Sequence, residues 1–166
     1  LSYYESQQPK QMTTFADYVA SKPAMDEQIS NIESYTVMLC DALYLDAKYR
    51  ARRHHTNAIA HIEGDTFKGD KEYERAYHIR KIHEIDNQGV DYEFYIKPGR
   101  KYHKVMMRTG SSRSVHAFVD KKTGDVFKAA SINAPAKGVR FNVLDDNSRE
   151  EMLERADWAG SYLYVR

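Results

Sequence analysis

Apolar positions in the first half of the chain recur with the spacing of a helix. The stripe uses residues three or four apart: Ile29, Ile32, Thr36, Leu39 and Leu43. Side chains at this spacing share one helix face, so the pattern predicts one long helix, or two, over about 25–62. A shorter helix is predicted from Thr13 or Thr14 to Ala20, and Pro23 is expected to break it or start the next one. Residues 71–86 fit both a helix and a strand, and we favour a helix.

After residue 90 the pattern changes to the alternation that is typical of strands. Strands are predicted at 92–96, 101–108, 114–120, 125–130 and 139–144, with a last one over 158–165. Gly124 closes a tight hairpin turn that needs a positive φ angle. Ser148, followed three residues later by Glu151, is the capping-box pattern and predicts a short helix near 148–156.

These elements predict an α+β fold, with N-terminal helices packed on a C-terminal antiparallel sheet of about four to six strands. The predicted organisation is an N-terminal arm over 1–23, a helical region over 24–88 and a β region over 89–166. The last two are expected to form one compact unit.

Composition limits the classes of site. The single cysteine, Cys40, lies in an apolar run and is interpreted as a small buried residue. No run of about 20 apolar residues is present, so no membrane partner is expected. No cofactor motif and no metal-ligand spacing occurs, so we predict neither a cofactor nor a metal site. The chain also lacks a signal-peptide pattern, which favours a reducing compartment such as cytoplasm.

Charge is distributed unevenly along a chain whose net charge is only +1. Residues 97–140 carry 11 Lys and Arg but only two acids, Asp120 and Asp125, giving a net charge of +9. The net charge is −5 over residues 1–96 and −3 over 141–166. A basic block inside a mildly acidic protein indicates an anionic partner.

The basic block also contains aromatic residues, a combination that suits single-stranded nucleic acid because cations follow the backbone and rings stack on bases. On strand 114–120, alternation predicts that His116 and Phe118 share one face with Ser114 and Asp120, while Val115, Ala117 and Val119 form the other. The candidate binding residues are Arg100, Lys101, Tyr102, Lys104, Arg113, His116, Phe118, Lys128, Lys137 and Arg140. Tyr102 and Phe118 are the candidate stacking rings.

Two other functions compete with nucleic-acid binding. The basic surface also suits an acidic protein, or the Tyr-rich helices could bind a partner. Self-association of the helices into a homo-oligomer would instead add avidity to nucleic-acid binding. The second alternative is an enzyme with His116 in a basic phosphate pocket, although no catalytic motif accompanies that histidine. The residue pattern favours a protein that is not an enzyme.

Three segments carry a resemblance to known proteins: KPGRKYHKVMM (97–107), RSVHAFVDKKTGDVFKAASINAPAKGVRFNVL (113–144) and DWAGSYLYVR (157–166). Their SVHxFV, TGDV[YF]KxAS and APAKxxRxN elements resemble a group of small uncharacterised proteins encoded by tailed bacteriophages. The resemblance covers nearly all of the β part and none of the helical part. It implies a viral protein that acts in the cytoplasm of the infected bacterium, or a virion component. The implied partners are nucleic acid or a host protein.

Overall fold

A 48-residue helix, α1, forms the first element of the computed structural model, which describes residues 14–164. The elements in chain order are α1 (Phe15–Ile62), α2 (Lys71–Gln88), β1 (Tyr92–Pro98), β2 (Tyr102–Thr109), β3 (Ser112–Asp120), β4 (Asp125–Lys128), β5 (Phe141–Asn142), α3 (Asp146–Arg155) and a 3-10 helix (Ser161–Leu163). This arrangement is the predicted α+β fold, with helices ahead of a five-stranded antiparallel sheet. The fold-class prediction is confirmed.

Helix α1 runs through Pro23 without a break, so the predicted boundary at that residue is wrong. Thr14 caps the helix by accepting a hydrogen bond from the backbone N–H of Asp17 at 3.1 Å. A proline removes one intrahelical hydrogen bond, and its φ angle is already helical. Two turns of helix precede Pro23 and many follow, so the loss stays local. The predicted arm over 1–23 therefore ends inside α1, and its residues 1–13 lie outside the described part of the chain.

The predicted apolar stripe of α1 packs against the sheet. Ile32, Leu39 and Leu43 have no exposed surface, and neither does Thr36, whose hydroxyl donates to the Ile32 carbonyl at 2.7 Å. That bond satisfies the one polar group in the stripe. Ile29, at the start of the predicted stripe, is 40% exposed. The helix therefore extends beyond the sheet that it covers.

Helix α2 packs against the second half of α1 and confirms the helix predicted over 71–86. Asp70 caps it by accepting from the Tyr73 N–H at 3.1 Å, and Gly89 ends it with a φ angle of 77°. A left-handed φ favours glycine at this position. Among its described residues only Ile85 is buried, so α2 is a surface helix held on one side.

The sheet is a meander in which each strand pairs with the next one along the chain. Its helix-covered face contributes Val105, Ala117, Val119 and Val126, each with no exposed surface. Strand β4 ends at Lys128 rather than 130, and the predicted strand over 139–144 is reduced to two residues. We call the other side of the sheet the open face.

The C-terminal part of the chain closes the core. The cap of α3 is Asp145, which accepts from the Ser148 N–H at 2.8 Å, so the predicted Ser148 cap is wrong. The Ser148 hydroxyl accepts instead from the backbone N–H of Asn142. The predicted last strand is also wrong, since Tyr162 and Leu163 lie in a 3-10 helix and are both buried. Gly160, with a φ angle of 82°, turns the chain here, and the Tyr164 N–H donates to the Ser161 carbonyl three residues earlier, which is the bonding pattern of a 3-10 helix.

The backbone N–H of Trp158 donates to the Asp46 carboxylate at 2.9 Å, which ties this segment to α1 across 112 residues of sequence. Across residues 14–164, no helix has both the length and the apolar character needed to cross a lipid bilayer.

Replacement of Leu39 by alanine tests the packing of α1 on the sheet. Loss of a fully buried leucine should lower the free energy of unfolding by about 2–5 kcal/mol. Leu45→Ala is the matched control, because Leu45 is on the same helix and is 61% exposed. Urea unfolding followed by circular dichroism measures both variants, and equal losses would contradict the packing described here.

Candidate functional site

The ten candidate binding residues do not form one surface. Tyr102 and Arg108 are six positions apart on β2, and they pair with Asp120 and Arg113 respectively. At about 3.3 Å per residue, roughly 20 Å lies between the two ends of the sheet. Arg113 is exposed at one end, while Arg100 and Lys101 lie at the other. The candidates therefore divide into separate groups.

One of these groups also contains two lysines, Lys121 and Lys122, that are not among the ten candidates. Arg100 and Lys101 from the β1–β2 turn, with Lys121 and Lys122 from the β3–β4 turn, line a cavity of about 740 Å³. The Lys121 N–H donates to the Lys101 carbonyl at 3.0 Å and holds the two turns together. We call these four cations the basic turn cluster. The sequence signal for the two added residues is the Lys121-Lys122 pair, which in the sequence alone indicates only a hairpin turn.

The basic turn cluster is not neutralised by acids. Within residues 14–164, none of its four side chains is in a salt bridge. Asp120 also lines the cavity, but its carboxylate accepts from the backbone N–H groups of Lys122 and Thr123 and shapes the turn. The cavity therefore offers excess positive charge to an anion.

Two further lysines, Lys97 and Lys104, lie on the open face of the sheet. Lys97 and Lys104 are direct cross-strand partners. They share the open face because Ile96, next to Lys97, packs in the core. Two like charges opposite each other are unfavourable unless an anion or another group screens them. The Lys104 ammonium donates to the Ile132 carbonyl at 2.7 Å, so part of its charge is used to hold the loop after β4.

Of the two candidate stacking rings, only Tyr102 has exposed surface. Its ring is half-buried, with the Lys101 ammonium 5.3 Å from the ring centroid. Phe118 is only 1% exposed. The Tyr102 ring packs edge-on against it with the centroids 5.6 Å apart, and the Lys104 ammonium lies 5.7 Å from the Phe118 ring centroid. Phe118 therefore has no surface on which a base could stack.

A β-bulge moves His116 away from the face where alternation put it. Val105 pairs with Ala117 and Met106 with Val115, so His116 is the extra residue on β3. The predicted shared face of His116 and Phe118 is therefore wrong. His116 Nε2 is 2.8 Å from the Tyr162 hydroxyl, on the side of the C-terminal segment. Burial lowers its pKa from 6.5 to about 4, so the ring is neutral near pH 7.

His116 and Lys128 line a second cavity, of about 360 Å³, which we call the His116 cavity. Its other lining residues include Ser114, Trp158 and Tyr164. The Lys128 ammonium lies 4.7 Å from the centroid of the Tyr164 ring. The structure therefore brings together the two residues that an enzyme with a basic pocket would need. It does so on the side of the sheet opposite to Tyr102 and Lys104.

Arg140 holds the loop after β4 to the C-terminal segment. Its Nε donates to the Leu163 carbonyl at 2.6 Å, and its Nη1 donates to the carbonyls of Lys137 and Gly138 at 2.9 and 2.7 Å. These three backbone carbonyls occupy most of the guanidinium N–H donors that would otherwise bind a phosphate. Lys137 itself is exposed on the loop.

Within residues 14–164, the cysteine and the remaining histidine pair do not form a further reactive centre. Cys40 is buried, and burial raises the pKa of its thiol to about 12, so it is protonated at neutral pH. His55 and His78 are paired through their Nδ1 atoms at 2.9 Å, between α1 and α2. In the described part of the chain, no group of three potential ligands is arranged to hold a metal ion.

Comparison with known proteins gives one match. A protein-family model described as a family of unknown function (DUF7717) matches residues 15–165. No curated protein and no solved structure matches the chain.

The depressed pKa of His116 predicts a pH-dependent stability. Between its unfolded value near 6.5 and about 4, the unfolded chain binds a proton that the folded chain does not, so stability falls as pH decreases. From about pH 7.5 to about pH 5 the His116 contribution should fall by about 2 kcal/mol. Burial and the charge of Lys121 also lower the pKa of His103, which adds to the same trend.

Urea unfolding at the two pH values checks this expectation. In His116→Gln the free energy of unfolding should depend less on pH than in the natural chain, and it should be lower at neutral pH. His83→Gln is the control, because His83 is exposed on α2 and should keep the full dependence. An unchanged slope in His116→Gln would show that the trend comes from other groups.

Proposed function

The chain belongs to the DUF7717 family of unknown function, and we propose that it is a non-enzymatic nucleic-acid-binding protein that prefers single-stranded DNA. The proposed surface starts at the basic turn cluster and continues along the open face past Tyr102. It differs from the surface expected from sequence, because it gains Lys121 and Lys122 and does not use Phe118 or Arg140 as ligand contacts.

The observation that carries the proposal is the convergence of four unneutralised cations at one end of the sheet. Arg100, Lys101, Lys121 and Lys122 come from two turns and surround one cavity. Binding of a phosphate backbone to such a group releases counterions, which supplies sequence-independent affinity. A flat surface with dispersed lysines would supply less affinity, because each charge would interact with the phosphates separately and through water.

The aromatic rings of the open face support a preference for single strands. Tyr102 immediately follows the cluster in sequence, and Tyr95 lies on the same face of β1 as Lys97 by alternation. Unpaired bases stack on such rings, whereas the bases of a duplex are already stacked on each other. A single strand entering through the cluster would therefore meet the rings next.

The resemblance to tailed-phage proteins supplies a setting for this proposal. A phage-encoded protein that binds single-stranded DNA would act in the cytoplasm of the infected bacterium. The alternative within that setting is a protein that binds an acidic host protein with the same basic surface, or a virion component.

Fluorescence anisotropy with a labelled oligothymidine and a matched duplex tests the proposal at low and at physiological salt. The natural chain should bind the single strand more tightly than the duplex. Combined Lys101→Ala and Lys122→Ala should weaken binding and reduce the slope of log K against log salt by about 1.4, at about 0.7 per phosphate contact.

Lys68→Ala combined with Lys71→Ala is the matched control, since it removes the same charge from exposed residues at the α1–α2 connection. Ile29 of α1 also lines the cavity of the cluster. Residues 29 and 62 are about 50 Å apart along the helix at about 1.5 Å per residue, which places the control far from the cluster. Equal weakening by both double variants would contradict a specific surface. Absence of binding at low salt would reject nucleic acid and favour the protein-partner alternative.

A further inference from the structure

We infer that the His116 cavity binds a small aromatic molecule that carries one phosphate group, of the chemical class of a nucleoside 5′-monophosphate. The inference concerns a different place from the proposed nucleic-acid surface. The cavity lies where the C-terminal segment covers β3 and β4, and no residue of the basic turn cluster lines it.

The walls of the cavity suit a planar ring. Trp158 and Tyr164 supply aromatic surface, and Met107, Val115 and Leu163 supply apolar surface. Its volume of about 360 Å³ lies at the small end of the range of about 300–1,000 Å³ that small-molecule sites occupy. A single base with its sugar and phosphate has the right size, whereas an oligonucleotide does not.

The charge of the cavity selects an anion. Among the lining residues within 14–164, Lys128 is the one lysine or arginine, and none is acidic. Within residues 14–164, Lys128 is in no salt bridge, and its ammonium lies over the Tyr164 ring. The cavity therefore offers a phosphate an ionic contact from the Lys128 ammonium and a hydrogen bond from the Ser114 hydroxyl, which lines the same cavity.

His116 can make a hydrogen bond to a ligand in the cavity through its Nδ1 atom. Its Nε2 is used by the Tyr162 hydroxyl, while no group in the described residues hydrogen-bonds to its Nδ1. Gly160 adjoins this edge of the ring, and a Cβ there would lie 3.5 Å from Cε1 and 3.9 Å from Nδ1. The absence of a side chain at Gly160 leaves that edge uncovered. A neutral imidazole in either tautomer offers one hydrogen bond at Nδ1 to a polar atom of the ligand.

The single tryptophan of the chain makes the inference directly testable, because Trp158 lines the cavity. Its fluorescence, excited at the red edge of its absorption, is titrated with AMP, dTMP, the corresponding nucleosides and inorganic phosphate. At least one monophosphate should give a saturable change in emission, and the matching nucleoside should bind roughly tenfold more weakly or worse. The NMR signal of the His116 Cε1 proton should shift with the same dissociation constant.

Two variants separate the site from general electrostatics. Lys128→Met keeps the side-chain length and the packing on Tyr164 but removes the charge, and should weaken monophosphate binding by roughly tenfold. Lys137→Met is the control, because Lys137 is exposed on the loop after β4 and is not among the lining residues of the cavity. Its affinity should equal that of the natural chain.

Three results would overturn the inference. The first is no saturable response to any monophosphate, and the second is equal affinity for nucleoside and monophosphate. The third is an equal effect of the two lysine variants. Competition distinguishes this site from the proposed DNA surface: saturating oligothymidine should leave the monophosphate response intact, and its loss would assign the response to the DNA surface instead.

Discussion

The burial of one stripe of α1 against one face of the sheet determines the rest of the molecule. Ile32, Leu39 and Leu43 are fully buried there, and they commit Val105 and Val119 on the strands to the interior. Once that face is covered by a helix, the side chains between these residues must point to the other side. The position of the open face, and of its lysines and rings, therefore follows from hydrophobic packing rather than from any requirement of a ligand.

Local patterns in the sequence predict the elements well because they depend on near neighbours. The three-to-four spacing along α1 and the glycine at position 124, whose φ angle is 77°, are both readable without tertiary information. The β-bulge at His116 is different. An extra residue on one strand is defined only by its partner strand, and it reverses the inside-outside order on that side of the bulge. Alternation therefore predicts the wrong face for His116, the one histidine of β3.

The basic block shows the same limit for charge. Counting cations along residues 97–140 identifies an excess, but does not reveal how each cation is used. Arg140 donates to three backbone carbonyls and Lys104 to one, so their charges support loops. Lys121 and Lys122 contribute to a cavity only because the meander brings their turn beside the turn of Lys101. Strand order, which periodicity does not encode, decides which charges converge.

The bond between Trp158 and Asp46 has a consequence for synthesis of the chain on the ribosome. The two residues are 112 positions apart, and at about 5–20 residues per second roughly 6–22 seconds separate their translation. During that interval the apolar stripe of α1 lacks part of its cover, since Tyr162 and Leu163 complete the same core. The apolar stripe of α1 therefore stays partly exposed to water on the nascent chain until its last core residues emerge.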